Sequence, residues 1–280
     1  MLSLAALLAA LPTAALAQTT PTPAAAPTAA PANSNPYLTN VAGCGNIGSI
    51  TARATVTFPS CVVPKNHVLV SGGYSDQTVK GVGNTVTYPN SLIRAGTSVH
   101  GLEVDLSPPT VMRVSPSING RRTGISDVGA GLTYQLPSFG PIHATVNGLI
   151  FPPTADKGFG SGTGANSQVG LNLGTSVAGF GLGTSIRFDS TVDPVTNLHF
   201  ESFVPSLVIG HDLAFLPGNV FAEAAHFSRV ASVGDPEWFY TTGYRVPIAN
   251  RAQLDAEYSF SPSLLGHPAQ TVGAGFSVLF

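Results

Sequence analysis

Apolar and polar residues alternate along most of the chain from His67 to Phe280, at the two-residue period of β-strands. The clearest stretch is Gln270 to Phe280, in which every second position counted back from Phe280 is apolar and most intervening residues are small. No charge interrupts this stretch, and nothing follows the terminal aromatic residue. An uninterrupted apolar face of this kind is typical of a strand that presents one side to lipid.

About twelve such segments follow one another, and most are long enough to cross a bilayer when tilted. They lie near 67–76, 86–95, 98–106, 126–136, 142–151, 166–177, 179–189, 198–211, 218–229, 236–246, 250–260 and 270–280. The registers near 86–95 and 198–229 stay open because the alternation there is poor, and Pro89 and Pro205 are expected at bulges or strand ends. The predicted fold class is all-β: a transmembrane antiparallel up-and-down β-barrel of about twelve strands, with a disordered Pro/Ala-rich N-terminal segment.

The connections between these segments differ in length in a regular way. The odd-numbered connections are the longer ones and the even-numbered ones are tight, with 212–217 as an exception. The long ones are 77–85, 107–125, 152–165, 190–197, 230–235 and 261–269. Long outer loops and short periplasmic turns are the pattern of outer-membrane barrels, whereas a soluble β-sandwich has no reason to show it. The pattern predicts that Gly158 to Gly164 lies outside the cell and that both termini face the periplasm.

Composition supports this interpretation. Only 9% of the residues are charged and the mean hydropathy is +0.25, yet no apolar run beyond the N-terminus is long enough for a spanning helix. High apolarity without such a helix fits strands that bury one side in lipid. A net charge of −2 gives no support for nucleic-acid binding, which requires a basic patch.

The N-terminal region divides into three parts before the barrel. Residues 1–17 read as a signal peptide, since an Ala/Leu-rich stretch ends in Ala15-Leu16-Ala17; its usual basic start is missing, and it is too short for a membrane anchor. Residues 18–36 form a Pro/Ala/Thr-rich linker. Residues 37–66 are expected as a periplasmic segment with a disulfide loop, and 67–280 as the barrel. The predicted location is the bacterial outer membrane.

The sequence contains two cysteines, Cys44 and Cys61. An even pair in a secreted chain predicts one disulfide. The alternative, a reactive or metal-binding pair, lacks a nearby His or second Cys partner.

Charged residues concentrate on the face opposite the apolar one. In a soluble sandwich this face would meet solvent; in a barrel it lines the lumen, where acids and bases pair across strands or line a polar passage. About twelve strands imply a narrow passage, which an N-terminal segment can block. The mixed signs predict no preference for anions or cations. The lumen-lining candidates are Arg94, Glu103, Asp105, Asp127, Arg187, Asp189, Arg245, Arg251, Asp255 and Glu257.

Other chemistry is weakly represented. The Gly-rich stretch Gly158 to Gly164 lacks the Gly-Lys-Ser/Thr ending of a phosphate-binding loop, so it is interpreted as a flexible outer loop. The seven histidines are scattered without ligand spacing, which predicts neither a metal site nor a cofactor. His199 with Glu201, His211 or His226 could serve a serine, but no local pattern marks a nucleophile. We therefore predict no catalytic residues and no enzyme.

Three motifs together resemble a transporter-like outer-membrane family labelled "MetA-pathway of phenol degradation". Ser91 to Gly96 followed by Gly101 to Val104 resembles its hairpin from an Arg strand to a Glu strand; Gly124 to Tyr134 resembles its Ser-Asp strand opening. Phe151 to Asp156, with the Gly-rich stretch after it, resembles its Pro-Thr-Gly-Asp loop. Ala155 replaces a usual Gly and Thr133 a common Lys. The resemblance implies an outer-membrane channel for small or aromatic compounds, with Arg94, Glu103 and Asp127 in the lumen or hairpin.

The predicted function is passive uptake or efflux of small solutes, aromatic or hydrophobic ones included, through an outer-membrane channel. Two alternatives remain open: a structural or adhesive barrel with a plugged lumen, and a lipid-modifying barrel enzyme. The predicted partners are outer-membrane lipid, a small-molecule solute and the barrel-assembly machinery, reached through the C-terminal strand that ends at Phe280.

Overall fold

The computed structural model describes residues 47–51, 55–116, 120–193, 196–213, 216–249 and 251–280. The predicted signal peptide and linker (1–36), Cys44 and Arg53 lie outside these residues. Within them the chain forms a single-turn helix, α1 (Ile47–Ile50), and fifteen β-strands. The strands are β1 (Val68–Val79), β2 (Gly83–Tyr88), β3 (Leu92–Gly96), β4 (Leu102–Ser107), β5 (Val111–Pro116), β6 (Arg122–Ile125), β7 (Gly129–Gln135), β8 (His143–Phe151), β9 (Asn166–Val177), β10 (Phe180–Val192), β11 (His199–Asp212), β12 (Asn219–Phe227), β13 (Glu237–Ala249), β14 (Ala252–Leu264) and β15 (His267–Leu279). No helix of these ranges is long and apolar enough to cross a membrane.

The strands form one closed antiparallel barrel. From β7 to β15 each strand pairs with the next in sequence, and β15 pairs with β1 over the length of both, with Leu69 opposite Leu279. Reciprocal backbone hydrogen bonds between Val68 and Phe280 complete the seam. Closure satisfies the backbone groups that an open sheet edge would expose, which a bilayer requires. The chain enters and leaves the barrel at one end, called here the terminal end; the opposite end is the loop end.

The fifteen segments of the described residues make twelve transmembrane strands around the barrel. The second, third and fourth strands are each interrupted once, so that each consists of two segments. Near the terminal end β1 pairs with β3, and near the loop end it pairs with β2, so β3 and β2 together make the second strand. In the same way β4 and β5 make the third strand, and β7 and β6 the fourth. Prolines, which lack the N–H that a strand ladder needs, occupy two of the breaks, at Pro89 and at Pro108-Pro109. The predicted strand count and fold class are therefore confirmed, although three predicted strands are split.

The two prolines singled out in the sequence behave differently. Pro89 lies between β2 and β3, as predicted. The prediction for Pro205 is wrong, because it lies inside β11 opposite Ile186 without a shift in register. The registers left open are now defined: Val70 lies opposite Ile93, and Leu207 opposite Ala224.

Three of the connections predicted to be long are shorter in the structure. Residues 80–82 alone join β1 to β2, and the range 107–125 contains β5 and β6. Only Leu265 and Gly266 join β14 to β15, with positive φ angles of 50° and 82°. Local sequence did not reveal this turn because leucine rarely adopts the left-handed conformation. Residues 152–165 do form a long connection at the loop end, between β8 and β9.

The two faces of the barrel wall have opposite character. Along β10, Ser185 and Arg187 are 2% and 8% exposed, whereas Ile186 and Phe188 between and after them are 41% and 60% exposed. The same alternation holds in β14, where Asp255 is buried and Leu254 exposed. An apolar exterior around a polar interior is the arrangement of a transmembrane β-barrel and the reverse of a water-soluble protein.

Candidate functional site: a plug segment inside the barrel

Residues 55–65, which precede β1, lie inside the barrel and cross it. Residues 55–65, called here the plug segment, contact inward side chains of β12 at one end and of β4 at the other. In the ring of twelve transmembrane strands β4 is third and β12 ninth, so these contacts lie on opposite sides of the barrel. The plug segment therefore spans the full diameter of the barrel interior.

On the β12 side the plug segment is held by one carboxylate. Glu223 accepts hydrogen bonds from the backbone N–H groups of Val56 (2.8 Å) and Thr57 (2.6 Å) and from the Thr57 hydroxyl (2.6 Å). The Thr57 hydroxyl also lies 2.7 Å from that of Ser206 on β11. Hydrogen bonds to an ionised acceptor are stronger than neutral ones, so Glu223 is a firm anchor.

On the opposite side the anchor is an ion pair. Arg94 of β3 and Glu103 of β4 are 3% and 0% exposed, and Arg94 Nε lies 2.6 Å from Glu103 Oε1. Glu103 Oε2 accepts a hydrogen bond from the backbone N–H of Val63 (2.5 Å), and Arg94 donates to the carbonyl groups of Ile50 and Cys61. A buried ion pair persists when further hydrogen bonds satisfy both partners, and here α1 and the plug segment supply them.

Asp105 extends this anchor along the wall. Its Oδ1 atom lies 3.5 Å from Arg94 Nε, and its Oδ2 accepts a hydrogen bond from the Thr133 hydroxyl (2.6 Å). Arg94 thus carries two acidic neighbours on β4. Three of the ten lumen candidates, Arg94, Glu103 and Asp105, therefore lie together, and Arg94 and Glu103 also bind the plug segment.

Polar side chains hold the middle of the plug segment. The Gln135 amide accepts from Val62 N (3.2 Å) and donates to Ser60 O (3.1 Å), while the Thr145 hydroxyl donates to Pro59 O (3.0 Å). Buried backbone groups that lie outside a sheet need such partners, because each unpaired one costs about 1–3 kcal/mol. These side chains therefore stabilise an irregular chain inside a barrel.

A small apolar cluster seals the terminal end on the side of the β1–β15 seam. Its members are buried: Ile47, Ile50, Cys61, Val63, Leu69 and Leu279. Cys61 is disulfide-bonded, and Cys44 is the only other cysteine in the sequence. Leu69 and Leu279 belong to the wall and the rest to α1 and the plug segment, so the cluster packs the plug segment against the barrel seam.

Two further charged groups lie on the interior face. Arg187 and Asp189 of β10 form an ion pair, with Nε to Oδ1 at 2.8 Å. Arg245 of β13 lies directly opposite Asp255 in the β13–β14 register and interacts electrostatically with Asp255, Glu223 and Glu257. The guanidinium of Arg245 also stands 4.4 Å from the centre of the Phe221 ring. Around Arg245, three acidic residues therefore surround one arginine.

The remaining two candidates lie at the ends of the barrel. Arg251 is half-buried in the turn between β13 and β14. Asp127 lies between β6 and β7 near the loop end, where its carboxylate accepts hydrogen bonds from the backbone N–H groups of Thr154 (2.8 Å), Ala155 (2.8 Å) and Ser161 (2.7 Å). Asp127 thus fixes the connection 152–165, a structural task that the sequence motif did not reveal.

Several contacts of the plug segment were missed from the sequence. Glu223 lies in β12, whose Ala-rich sequence alternates poorly, and Gln135 and Thr145 are ordinary polar residues near strand ends. Each meets a partner more than seventy positions away. Local periodicity carries no information about such contacts.

The described residues enclose cavities at two levels of the barrel interior. One of about 890 Å³ lies at the terminal end, between the plug segment and the wall from β9 to β14, lined by residues such as Thr57, Ser60, Gly181, Val208 and Gln253. The other, of about 400 Å³, lies towards the loop end and is lined by residues that include Asp127, Phe151 and Phe159. Between these two levels, buried polar side chains line the barrel wall, among them the hydrogen-bonded pair Asn172 and Ser185.

One contact relates to the enzyme alternative. At the loop end Ser190 Oγ lies 2.7 Å from His199 Nε2, on the exterior face. Glu201 lies directly opposite Ser190 in the register, but within the described chain no hydrogen bond orients the second ring nitrogen of His199. A nucleophile needs a base that is itself oriented, so this pair is an incomplete catalytic arrangement.

The fold is similar to solved outer-membrane proteins. An outer membrane channel from Pseudomonas putida F1 has a TM-score of 0.60, with 9% identity over 79% of this chain and 98% of that chain. The NanC porin has a TM-score of 0.49 (10% identity, 75% and 98%), and the translocator domain of the autotransporter NalP from Neisseria meningitidis 0.47 (14%, 76% and 87%). No protein-family model and no curated protein matches the chain. At these identities the likeness establishes the fold, and the phenol-degradation family label stays a prediction.

Proposed function

We propose that this protein is a passive channel of the bacterial outer membrane for small solutes. The observation that carries the proposal is a closed barrel with an apolar exterior and a polar interior that contains cavities of about 890 and 400 Å³ on two levels. The protein with a TM-score of 0.60 is itself an outer membrane channel, which supports the same assignment. In this proposal the terminal end faces the periplasm, and the C-terminal strand that ends at Phe280 engages the barrel-assembly machinery.

The test is the conductance of the refolded protein in a planar lipid bilayer. Folding is verified first by heat-modifiable mobility on a gel. Ohmic single-channel steps are expected, because a hydrated polar interior conducts ions. A folded barrel that stays silent contradicts the proposal.

The solutes proposed are small, aromatic or hydrophobic compounds. Several phenylalanines face the interior, and the rings of Phe227 and Phe239 meet edge to face with centroids 5.1 Å apart. The Arg187 guanidinium stands 5.7 Å from the Phe227 centroid, which adds a cation to this aromatic surface. Such side chains favour the passage of aromatic solutes, because aromatic rings stack on one another.

A matched pair of sugars tests this specificity in a liposome-swelling assay. Methyl glucoside and phenyl glucoside share the polar group and neither crosses lipid readily. We expect phenyl glucoside to enter at least as fast as methyl glucoside in spite of its larger size. Entry that falls with size alone would contradict an aromatic preference while leaving the channel itself supported.

A second candidate function is a structural barrel with a plugged interior. The anchors of the plug segment at Glu223, Gln135, Thr145 and Glu103 favour it, because they hold the segment at both walls. The bilayer experiment separates the two functions, since a structural barrel is folded and silent. Release of fatty acid from vesicle lipids in the same preparation would instead favour the enzyme alternative.

A further inference from the structure

The plug segment divides the terminal end of the barrel into two unequal parts. Towards the β1–β15 seam, the cluster that includes Ile50, Leu69 and Leu279 fills the space between segment and wall. Towards β9–β14 a cavity of about 890 Å³ lies beside the plug segment, which touches this wall only locally, at Thr57 and Ser60. Any solute that leaves while the plug segment stays in place must therefore use the second side.

Several residues of the wall on that side are glycines, which have no side chain. Gly174 on β9, Gly181 and Gly183 on β10 and Gly210 on β11 all line the cavity. At Gly174 an added Cβ would collide with Ser60 of the plug segment, so this glycine permits the segment to pass. At Gly181 an added Cβ would meet only the Gly210 carbonyl oxygen at 4.0 Å, so the space in front of it is open.

The lining of the cavity suits a passage for small molecules. Apolar side chains such as Val208 and Phe221 lie among polar ones such as Thr57 and Asn219. The volume lies within the range of roughly 300–1,000 Å³ that binds small organic molecules. The cavity is bounded by the terminal-end turns near Gly179 and Gly218, so it reaches the rim of the barrel.

We infer that solutes reach the periplasm through a side passage between a stationary plug segment and the β9–β14 wall, and that the bare wall at Gly181 sets the width of that passage. This inference rests on the proposed channel function. The competing route requires the plug segment to leave the barrel, which would break the anchors at Glu103 and Glu223.

The first experiment fixes the plug segment in place. The hydroxyl oxygens of Thr57 and Ser206 lie 2.7 Å apart, close enough for Thr57→Cys with Ser206→Cys to form a disulfide after a small adjustment. The oxidised variant is expected to conduct like the same variant before oxidation. Conductance that disappears when the variant is oxidised, while the parent keeps its conductance under the same oxidant, would overturn the side passage.

The second experiment narrows the passage. Gly181→Trp is expected to lower conductance roughly twofold or more, because flow follows the narrowest cross-section. The matched control is Gly120→Trp, since Gly120 is exposed between β5 and β6 and no atom lies within 4 Å of its Cβ position. Equal conductance in the two variants would overturn the role of Gly181.

A third measurement does not depend on conductance and so separates this inference from the proposed function. Gly181→Cys in the refolded barrel should react with a water-soluble maleimide at a rate within about tenfold of a cysteine at the exposed Gly120. Slow labelling at Gly181 would show a closed gap and refute the passage, even where the parent conducts. Fast labelling in a silent parent would retain the gap and refute only the channel.

Discussion

Replacement of Glu223 by glutamine tests whether one carboxylate holds the plug segment on the β12 side. The side chain keeps its shape but loses its charge and one of its two acceptor oxygens. In the parent this carboxylate accepts three hydrogen bonds, two from the backbone N–H groups of Val56 and Thr57 and one from the Thr57 hydroxyl, at 2.6–2.8 Å. Arg245 keeps Asp255 opposite it, so the wall itself should stay intact.

The size of the effect follows from these contacts. A hydrogen bond to a charged group contributes about 1.5–3 kcal/mol, and glutamine can still accept at its carbonyl oxygen. We therefore expect a net loss of about 2–3 kcal/mol in the local stability of the plug segment. At about 1.4 kcal/mol per tenfold, its opening becomes roughly 30- to 150-fold more frequent.

Amide hydrogen exchange followed by NMR measures this opening directly. The protection of the Val56 and Thr57 amides should fall by that factor in Glu223→Gln, while the strand amides of β12 change little. Asp189→Asn is the matched control, because it removes the same charge from a carboxylate that pairs with Arg187 instead of the plug segment. Unchanged protection at Val56 and Thr57 in Glu223→Gln would refute the anchor.

Two further predictions concern the membrane. Ile186 lies in the middle of β10, whereas Leu254 lies near the terminal end of β14. In urea unfolding from lipid vesicles, Ile186→Arg should lower the free energy of unfolding by about 2–4 kcal/mol and Leu254→Arg by about 1 kcal/mol. Equal losses would contradict these membrane depths. An epitope tag inserted after Thr163, which is exposed in the connection 152–165, should be labelled on intact cells. Labelling only after permeabilisation of the outer membrane would reverse the proposed orientation.

The barrel wall was predictable from sequence because its physical cause is local. A strand with lipid on one side and the interior on the other must alternate, and the segments around Ile186, Leu254 and Phe276 do so. The breaks in the second to fourth strands were not predicted, because the residues on each side of a break keep the two-residue alternation. The Leu265-Gly266 turn escaped because its sequence lacks the Asn-Gly or Asp-Gly signature of tight hairpins.

The candidate site was predictable only in part. Alternation identified the interior face, and so Arg94, Glu103 and Asp105 were selected together. What they bind could not be read from the pattern, since Val63 and Cys61 reach them through the folded chain and not through a neighbouring strand position. Glu223 was missed for the same reason. The strand period shows which charged residues face the interior. Which groups they bind depends on the path of the plug segment through the barrel.

The disulfide provides a last test of that threading. Cys61 is 2% exposed in the apolar cluster, and its carbonyl accepts a hydrogen bond from Arg94 (3.3 Å). A cross-link that closes a loop of eighteen residues, from Cys44 to Cys61, contributes about 3 kcal/mol through the chain entropy it removes. Cys44→Ser with Cys61→Ser should therefore loosen α1 and the cluster, while Glu223, Thr145 and Gln135 still hold residues 56–62.

The expected result is a folded barrel with raised conductance, because the seam side of the plug segment is then no longer sealed. Heat-modifiable gel mobility verifies the fold, and bilayer recordings compare the double variant with the parent. Treatment of the parent with dithiothreitol is the matched control, since it opens the disulfide without placing serine in an apolar site. Unchanged conductance in both preparations, with an intact barrel, would mean that packing of Ile50, Leu69 and Leu279 seals the seam side without the cross-link.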